Sequence, residues 1–279
     1  MMKTPMTPSL LKSALLATLL GTSAAMAGEP EKPAATTPEP ESKFSGTLNF
    51  DYNTHFISYG FDVWGDGNDL DAGTFNPSLE LTWKLPNNFS AILGTWWDVN
   101  GKGSDPLGGS IQEVDVWGGF GYTYDKFSVT ALYQAWNYGS ATEEIVDVKF
   151  AYNCLLSPSL TVHNRIDEGA SGGHTGTILV FGLSHSIEAG PVTISFPFNL
   201  AVFLQDDFHP ASTDSGIGYG SLGVTATLPL KCLGKEYGEW NLHGGVTYYM
   251  TDNGVVGNEA FGNPDDNFFT ANIGIGCAF

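Results

Sequence analysis

The feature that most constrains this chain is an alternation of period two that begins at Phe44 and runs to Phe279. Successive side chains of an extended strand point to opposite faces, so alternation marks strands with one apolar and one polar side. Leu48, Phe50, Tyr52, Thr54 and Phe56 alternate with Thr47, Asn49, Asp51, Asn53 and His55. Leu79, Leu81 and Trp83 alternate with Ser78, Glu80, Thr82 and Lys84. The rhythm returns over 89–98, 114–124, 127–138, 145–154, 160–167, 177–187, 192–205, 219–230, 240–250 and 268–279, which predicts twelve strands. No stretch reaches the roughly 18 continuous apolar residues that a membrane-crossing helix needs.

The connections narrow the choice among all-β folds. Short turns are predicted at 85–88, 125–126, 156–158, 188–191 and 231–238. Longer segments rich in Gly, Asp and Asn are predicted at 62–74, 99–112, 139–143, 168–176, 206–218 and 251–267. Alternating short and long connections are the pattern of a transmembrane barrel, and a β-sandwich gives no reason for it. The expected fold is one antiparallel up-and-down transmembrane β-barrel of about twelve strands over residues 44–279. An even count puts both barrel ends on the same side. Trp83, Trp96, Trp97, Tyr122, Tyr124, Trp136, Tyr138 and Trp240 sit near strand ends, where interfacial girdles are expected.

Composition removes other classes. The 279 residues carry 30 Asp and Glu against 11 Lys and Arg, a net charge of -19, which argues against nucleic acid as a partner. Mean hydropathy near zero is too polar for a helical membrane bundle and suits a barrel with one face in lipid. Residues 1–27 read as an export signal, with Lys3 and Lys12, the apolar run 13–21 and Ala25-Met26-Ala27 as the cleavage motif. Residues 28–43 are rich in Pro and Glu and read as a disordered periplasmic lead. Of the three cysteines, Cys154, Cys232 and Cys277, the turn holding Cys232 adjoins the strand next to the last one, so Cys232–Cys277 is the most plausible bridge.

The final strand resembles that of bacterial outer-membrane barrels. Phe269, Ala271, Ile273, Ile275 and Cys277 share a face that ends on Phe279. The resemblance implies that Phe279 is the signal read by the barrel-assembly machinery, and that the partners are outer-membrane lipid and lipopolysaccharide. The segment Asp51-Tyr52-Asn53-Thr54-His55-Phe56-Ile57-Ser58-Tyr59-Gly60-Phe61-Asp62-Val63 further resembles the opening of the TorF-type putative porins. That family tends to carry Arg-Gly where this chain has Tyr59-Gly60. The resemblance implies a Gram-negative outer-membrane transport protein and leaves the oligomeric state open.

The inward face decides what such a barrel does. The candidate pore-lining residues are Asp51, His55, Glu80, Lys84, Asp98, Asp115, Asp147, Lys149, His163, Arg165 and Asp167. Carboxylates outnumber permanent cations among them, which predicts cation preference if the lumen conducts. Twelve strands lie between filled eight-stranded barrels and open sixteen-stranded porins, so any pore should be narrow. The expected function is porin-like passive diffusion of small solutes through an acid-lined lumen. The alternative is a closed structural or adhesive barrel with acidic outer loops. Those loops (Asp62, Asp66, Asp69, Asp71; Asp206, Asp207; Asp265, Asp266) are a weak candidate for Ca²⁺, and no cofactor or metal is otherwise expected. No enzyme is expected. Ser184 and His185 point to opposite faces, and Gly182-Leu183-Ser184-His185-Ser186 lacks the last glycine of a nucleophile elbow.

Overall fold

The computed structural model describes residues 42–71, 73–103, 107–263 and 265–279. The export signal at 1–27 and all but the last two residues of the lead lie outside the described residues. In chain order the strands are β1 (Phe44–Asn53), β2 (Ile57–Ser58), β3 (Phe61–Asp62), β4 (Thr74–Lys84), β5 (Phe89–Val99), β6 (Ile111–Tyr124) and β7 (Phe127–Tyr138). They continue with β8 (Ala141–Tyr152), β9 (Ser159–Asp167), β10 (Gly176–Ala189), β11 (Val192–Phe203), β12 (Gly216–Pro229), β13 (Glu239–Thr251) and β14 (Asn267–Ala278). β1 and β4 to β14 form one closed barrel of twelve antiparallel strands, each paired with its sequence neighbours. β2 and β3 form a separate two-stranded hairpin.

Closure joins the two ends of the alternating region. β14 pairs with β1 so that Phe50 lies opposite Ile275 and Tyr52 opposite Ile273. Beyond the last strand residue, Phe279 and Gly46 exchange backbone hydrogen bonds of 2.8 and 3.0 Å. The Phe279 ring lies over Gly46, where an added Cβ would sit 2.5 Å from it, so this approach needs glycine. With no free strand edge, every ladder group finds a partner inside the barrel.

The two faces differ as alternation requires. Outward residues include Leu93, Phe120, Leu222, Val246, Phe269 and Ile273, all exposed. At the short-turn rim Phe44 packs on Trp83 at 5.3 Å and Phe89 on Tyr122 at 5.0 Å, which makes an aromatic girdle. Inward residues are polar through much of the barrel, with Asn49, Ser78, Ser159, Asn199 and Ser221 around a central cavity.

Four details differ from the sequence expectations. β1 stops at Asn53 rather than Phe56. The connection between β7 and β8 is only Gly139-Ser140, because β8 begins at Ala141, so one turn on the long-loop rim is as tight as those opposite. A register shift between Glu144 and Ile145 sets Asp167 opposite Glu144, while Ile145 faces Arg165. This bulge takes Asp167 off the inward series to which His163 and Arg165 belong. Cys154, Cys232 and Cys277 are free. Cys232 is exposed in a short 3-10 turn, whereas the buried Cys277 thiol contacts the Tyr237 carbonyl at 3.9 Å.

Candidate functional site

The long connection between β1 and β4 does not stand away from the barrel. Residues 54–71 fold back as a tongue whose tip is the β2–β3 hairpin, with Ile57 opposite Asp62 and Ser58 opposite Phe61. The two tip residues, Tyr59 and Gly60, have φ of 48° and 82°. Two consecutive positive φ values are what a tight two-residue hairpin requires. Glycine takes that shape freely and an aromatic residue does not, so Tyr59 is held there by its contacts. Its ring lies 3.8 Å from that of His163 on β9 and 6.3 Å from Trp136 on β7, centroid to centroid. Gly60 is pressed against Tyr219 of β12, where a Cβ would lie 2.6 Å from the ring.

A hydrophobic core surrounds the tip. Ile178, Ala201, Phe203, Phe208, Tyr219, Val255 and Val256 are buried together, with Tyr59 and Phe61 packed against them. Two further segments, 204–215 and 252–263, contribute to this plug. Phe61 stacks on His209 at 5.0 Å and meets Phe261 edge-on at 5.3 Å. Burial drives the His209 imidazole down to about 3, and the neighbouring Arg165 guanidinium lowers it further.

Polar latches fix the rest of the tongue. Asn258 accepts from the Asp62 backbone N–H at 2.8 Å and donates to the Gly60 carbonyl at 2.9 Å. The fully buried Asp62 carboxylate accepts from Gly67 N–H at 2.9 Å and Asn263 Nδ2 at 3.1 Å. Burial pushes that carboxyl above its ordinary range, against the lowering effect of the Gly67 bond. At the far end of the tongue Asp98, also fully buried, accepts from Trp64 Nε1 at 3.0 Å, Asn76 Nδ2 at 3.2 Å and Asn100 Nδ2 at 2.9 Å, and from the Thr74 hydroxyl.

Beneath the tongue lies a cavity of about 450 Å³ that reaches down to Ser157 in the turn between β8 and β9. Among the described residues its carboxylates are Asp51, Glu80, Glu113, Asp115 and Asp147, and its one ammonium group is Lys149. Asp51 Oδ1 meets His243 Nε2 at 2.6 Å, and Glu80 accepts from Trp117 Nε1 at 3.1 Å. Asp147 meets His163 Nδ1 at 2.8 Å and accepts from Gln134 Nε2 at 2.6 Å. Ile92, Trp117 and Leu132 form an apolar patch on the wall, with Trp96 against it.

Of the candidate lining residues, Asp51, His55, Glu80, Asp115, Asp147 and Lys149 line this cavity. His55 does so from the tongue rather than from a strand, with Nε2 bonded to the Gly67 carbonyl at 2.8 Å. Lys84, Asp98, His163, Arg165 and Asp167 are placed elsewhere. Lys84 is exposed at the short-turn rim, and Asp98 is the latch just described. His163 is buried under Tyr59. Arg165 lies at plug level, where its Nε donates to Glu143 Oε1 at 2.6 Å, its guanidinium covers the Phe208 ring at 3.9 Å and one NH bonds the Phe208 carbonyl. Asp167 is exposed and accepts from the Gly169 N–H at 3.0 Å. Trp96, Trp136 and Tyr138 are a correction to the girdle: the two tryptophans line the cavity, and the Tyr138 hydroxyl donates to Glu143.

Glu113, Glu143, Trp117, His209 and His243 were not singled out by the sequence. Glu113 and Trp117 share the parity of Asp115 on β6, so alternation carried that signal. Glu143 was hidden by the loop predicted over it. Among the outer acidic residues Asp66 pairs with Lys102, and Asp69 accepts from the Asp71 N–H at 3.1 Å. Among the described residues no three acidic, His or Cys side chains converge as a metal site.

No family model matches the chain, and no curated protein matches it. Among solved structures it is similar to the KdgM porin at 11% identity and a TM-score of 0.47, over 84% of this chain and 99% of that one. The NanC porin is similar at 10% identity and 0.46, over 83% and 98%. OccAB1 of Acinetobacter baumannii is similar at 11% identity and 0.29, over 85% and 96%. These likenesses are distant, and nothing about the activity of this chain follows from them.

Proposed function

We propose that this chain is an outer-membrane barrel through which small solutes diffuse passively, along a narrow acid-lined lumen that the tongue restricts from the long-loop side. The observation that carries the reading is the pairing of two surfaces in one closed barrel. Its outward face is apolar and exposed around the strands, and its inward face encloses a polar cavity with five carboxylates and one ammonium group among the described residues. An apolar surface of that extent belongs in lipid, and a closed barrel is the β architecture that lipid permits. A lumen with excess negative charge admits cations ahead of anions.

Planar-bilayer recording of the purified protein tests this. Small cation-preferring steps are expected. Absence of conductance, or anion preference, would overturn it.

The hydrophobic plug at the long-loop rim favours a second reading, a permanently closed structural or adhesive barrel. A filled mouth supports it because packed apolar side chains leave no water path. The two readings part when the tongue is removed. A diffusion barrel then opens, and a permanently filled one stays silent.

A further inference from the structure

We propose that the cavity beneath the tongue holds a binding site for a small organic ammonium ion, centred on Asp115 and walled by Trp96 and Trp136. The inference rests on the diffusion reading and names the class of solute that the lumen favours.

The placement follows from register. On β6, Asp115 faces inward and is directly paired with Trp96 on β5 and with Trp136 on β7. Directly opposed side chains on neighbouring strands start about 4.5–5.5 Å apart at Cβ. Both tryptophans line the same cavity as Asp115, so the carboxylate has an indole on each side. The tongue adds the roof. Phe56 packs on Trp96 at 4.9 Å between ring centroids, and Tyr59 covers Trp136 at 6.3 Å.

The carboxyl at the centre has no basic partner among the described residues. Asp51, Glu80 and Asp147 each have a hydrogen-bond donor in the wall. Asp115 is 8% exposed, and its Oδ1 has no hydrogen-bond partner among the described residues. Its carboxyl neighbour on the same face is Glu113, which holds a proton and donates a hydrogen bond to Asp115, leaving Oδ1 as the open acceptor. A buried carboxylate oxygen left without a donor is costly, and it marks a place where a ligand supplies what the protein omits.

The surroundings select the kind of cation. A bare divalent ion needs several converging oxygen ligands, and no such cluster of acidic or His groups is present among the described residues. Indole faces attract a diffuse, weakly hydrated positive charge such as an alkylated ammonium group. A carboxylate between two tryptophans, under two more aromatic rings, matches that cation in charge and in surface. The cavity of about 450 Å³ has room for a small one.

The test titrates the full-length protein in detergent micelles with choline, following tryptophan fluorescence. The control ligand is 3,3-dimethyl-1-butanol, which has the same shape without the charge. A saturable change with choline and none with the alcohol is expected. Asp115→Asn should weaken choline binding by about tenfold or more, and Trp136→Leu by about tenfold, since carboxylate and indole each contribute to holding the cation. Glu188→Gln, at the short-turn rim, should bind choline as the parent does. Equal responses to choline and the alcohol, or unchanged choline affinity in Asp115→Asn, would overturn the site. The parent protein's comparison of the two ligands decides even if a variant fails to fold. Binding in micelles needs no conductance, so a silent bilayer with tight choline binding would sink the diffusion reading and leave the site.

Discussion

The two halves of the barrel interior are built on opposite principles. At the long-loop rim, the tongue and two further loops fill the mouth with a protein-like core of Phe203, Phe208, Tyr219, Val255 and Val256. Below the tongue, Asn49, Ser78, Ser159, Asn199 and Ser221 leave a polar cavity. The same twelve strands pass through both zones, so the barrel itself does not decide whether its lumen is open. What differs is whether a loop supplies apolar side chains to the inward face. Closure is therefore a property of loop docking, and the latches on Asp62 and Asp98 measure how firmly it is held.

The comparison breaks most sharply if the tongue is removed. Replacing residues 55–63 with a short Gly/Ser linker should raise single-channel conductance several-fold. Unchanged conductance would mean that segments 204–215 and 252–263 close the mouth alone, and that the tongue is an accessory. The next effect is on stability. Arg165→Met strands the Glu143 carboxylate, buried at 2% exposure, without its cation. Breaking a buried pair on one side costs about 3–5 kcal/mol. Urea unfolding in micelles should show that loss, and Arg165→Met combined with Glu143→Leu should recover most of it. A single variant as stable as the parent would show that the plug level is wetter than its packing indicates.

A smaller effect concerns pH. The docked His209 is held neutral, with its imidazole lowered to about 3, while a released imidazole titrates near 6.5. Docking is thus at full strength above pH 6.5 and weakens as the pH falls from 6.5 towards 3, because the released state takes up the proton first. Asp62 acts with the opposite sign: its docked carboxyl is raised, so its protonation favours docking as the pH falls. Asp62→Asn should therefore sharpen acid-induced tongue release, read as conductance against pH, and adding His209→Phe should remove it. If the double variant still opens in acid, His209 is not the sensor. The smallest effect belongs to the lower half. Lys149→Met removes an ammonium group from the cavity wall and should shift the reversal potential in a salt gradient further towards cation preference, with the tongue still docked. A shift towards anions would place the ion path away from Lys149.

Much of the barrel was legible along the chain. Strands such as 127–138 and turns such as 125–126 coincide with β7 and with the connection before it. The interior was less legible. Phe56 continues the alternation of β1, yet it packs on Trp96 in the tongue. Period two distinguishes apolar from polar positions, but an apolar side chain buries equally well against lipid or against an indole. Trp96 and Trp136 were misplaced for the same reason. Asp167 was misplaced because a bulge adds one residue and flips the face, and no local composition announces it.

The sequence by itself determined an all-β barrel with twelve strands and its alternating faces. Those features follow from the period of the strand and from the need to satisfy every ladder group, which are rules read residue by residue. Only the tertiary structure decided that residues 54–71 turn inward, that Tyr59 closes over His163 and Trp136, and that Asp115 stands between two tryptophans. These contacts join segments distant in the chain. They depend on strand register and on the shape of the closed lumen, which exist only once the whole barrel has formed.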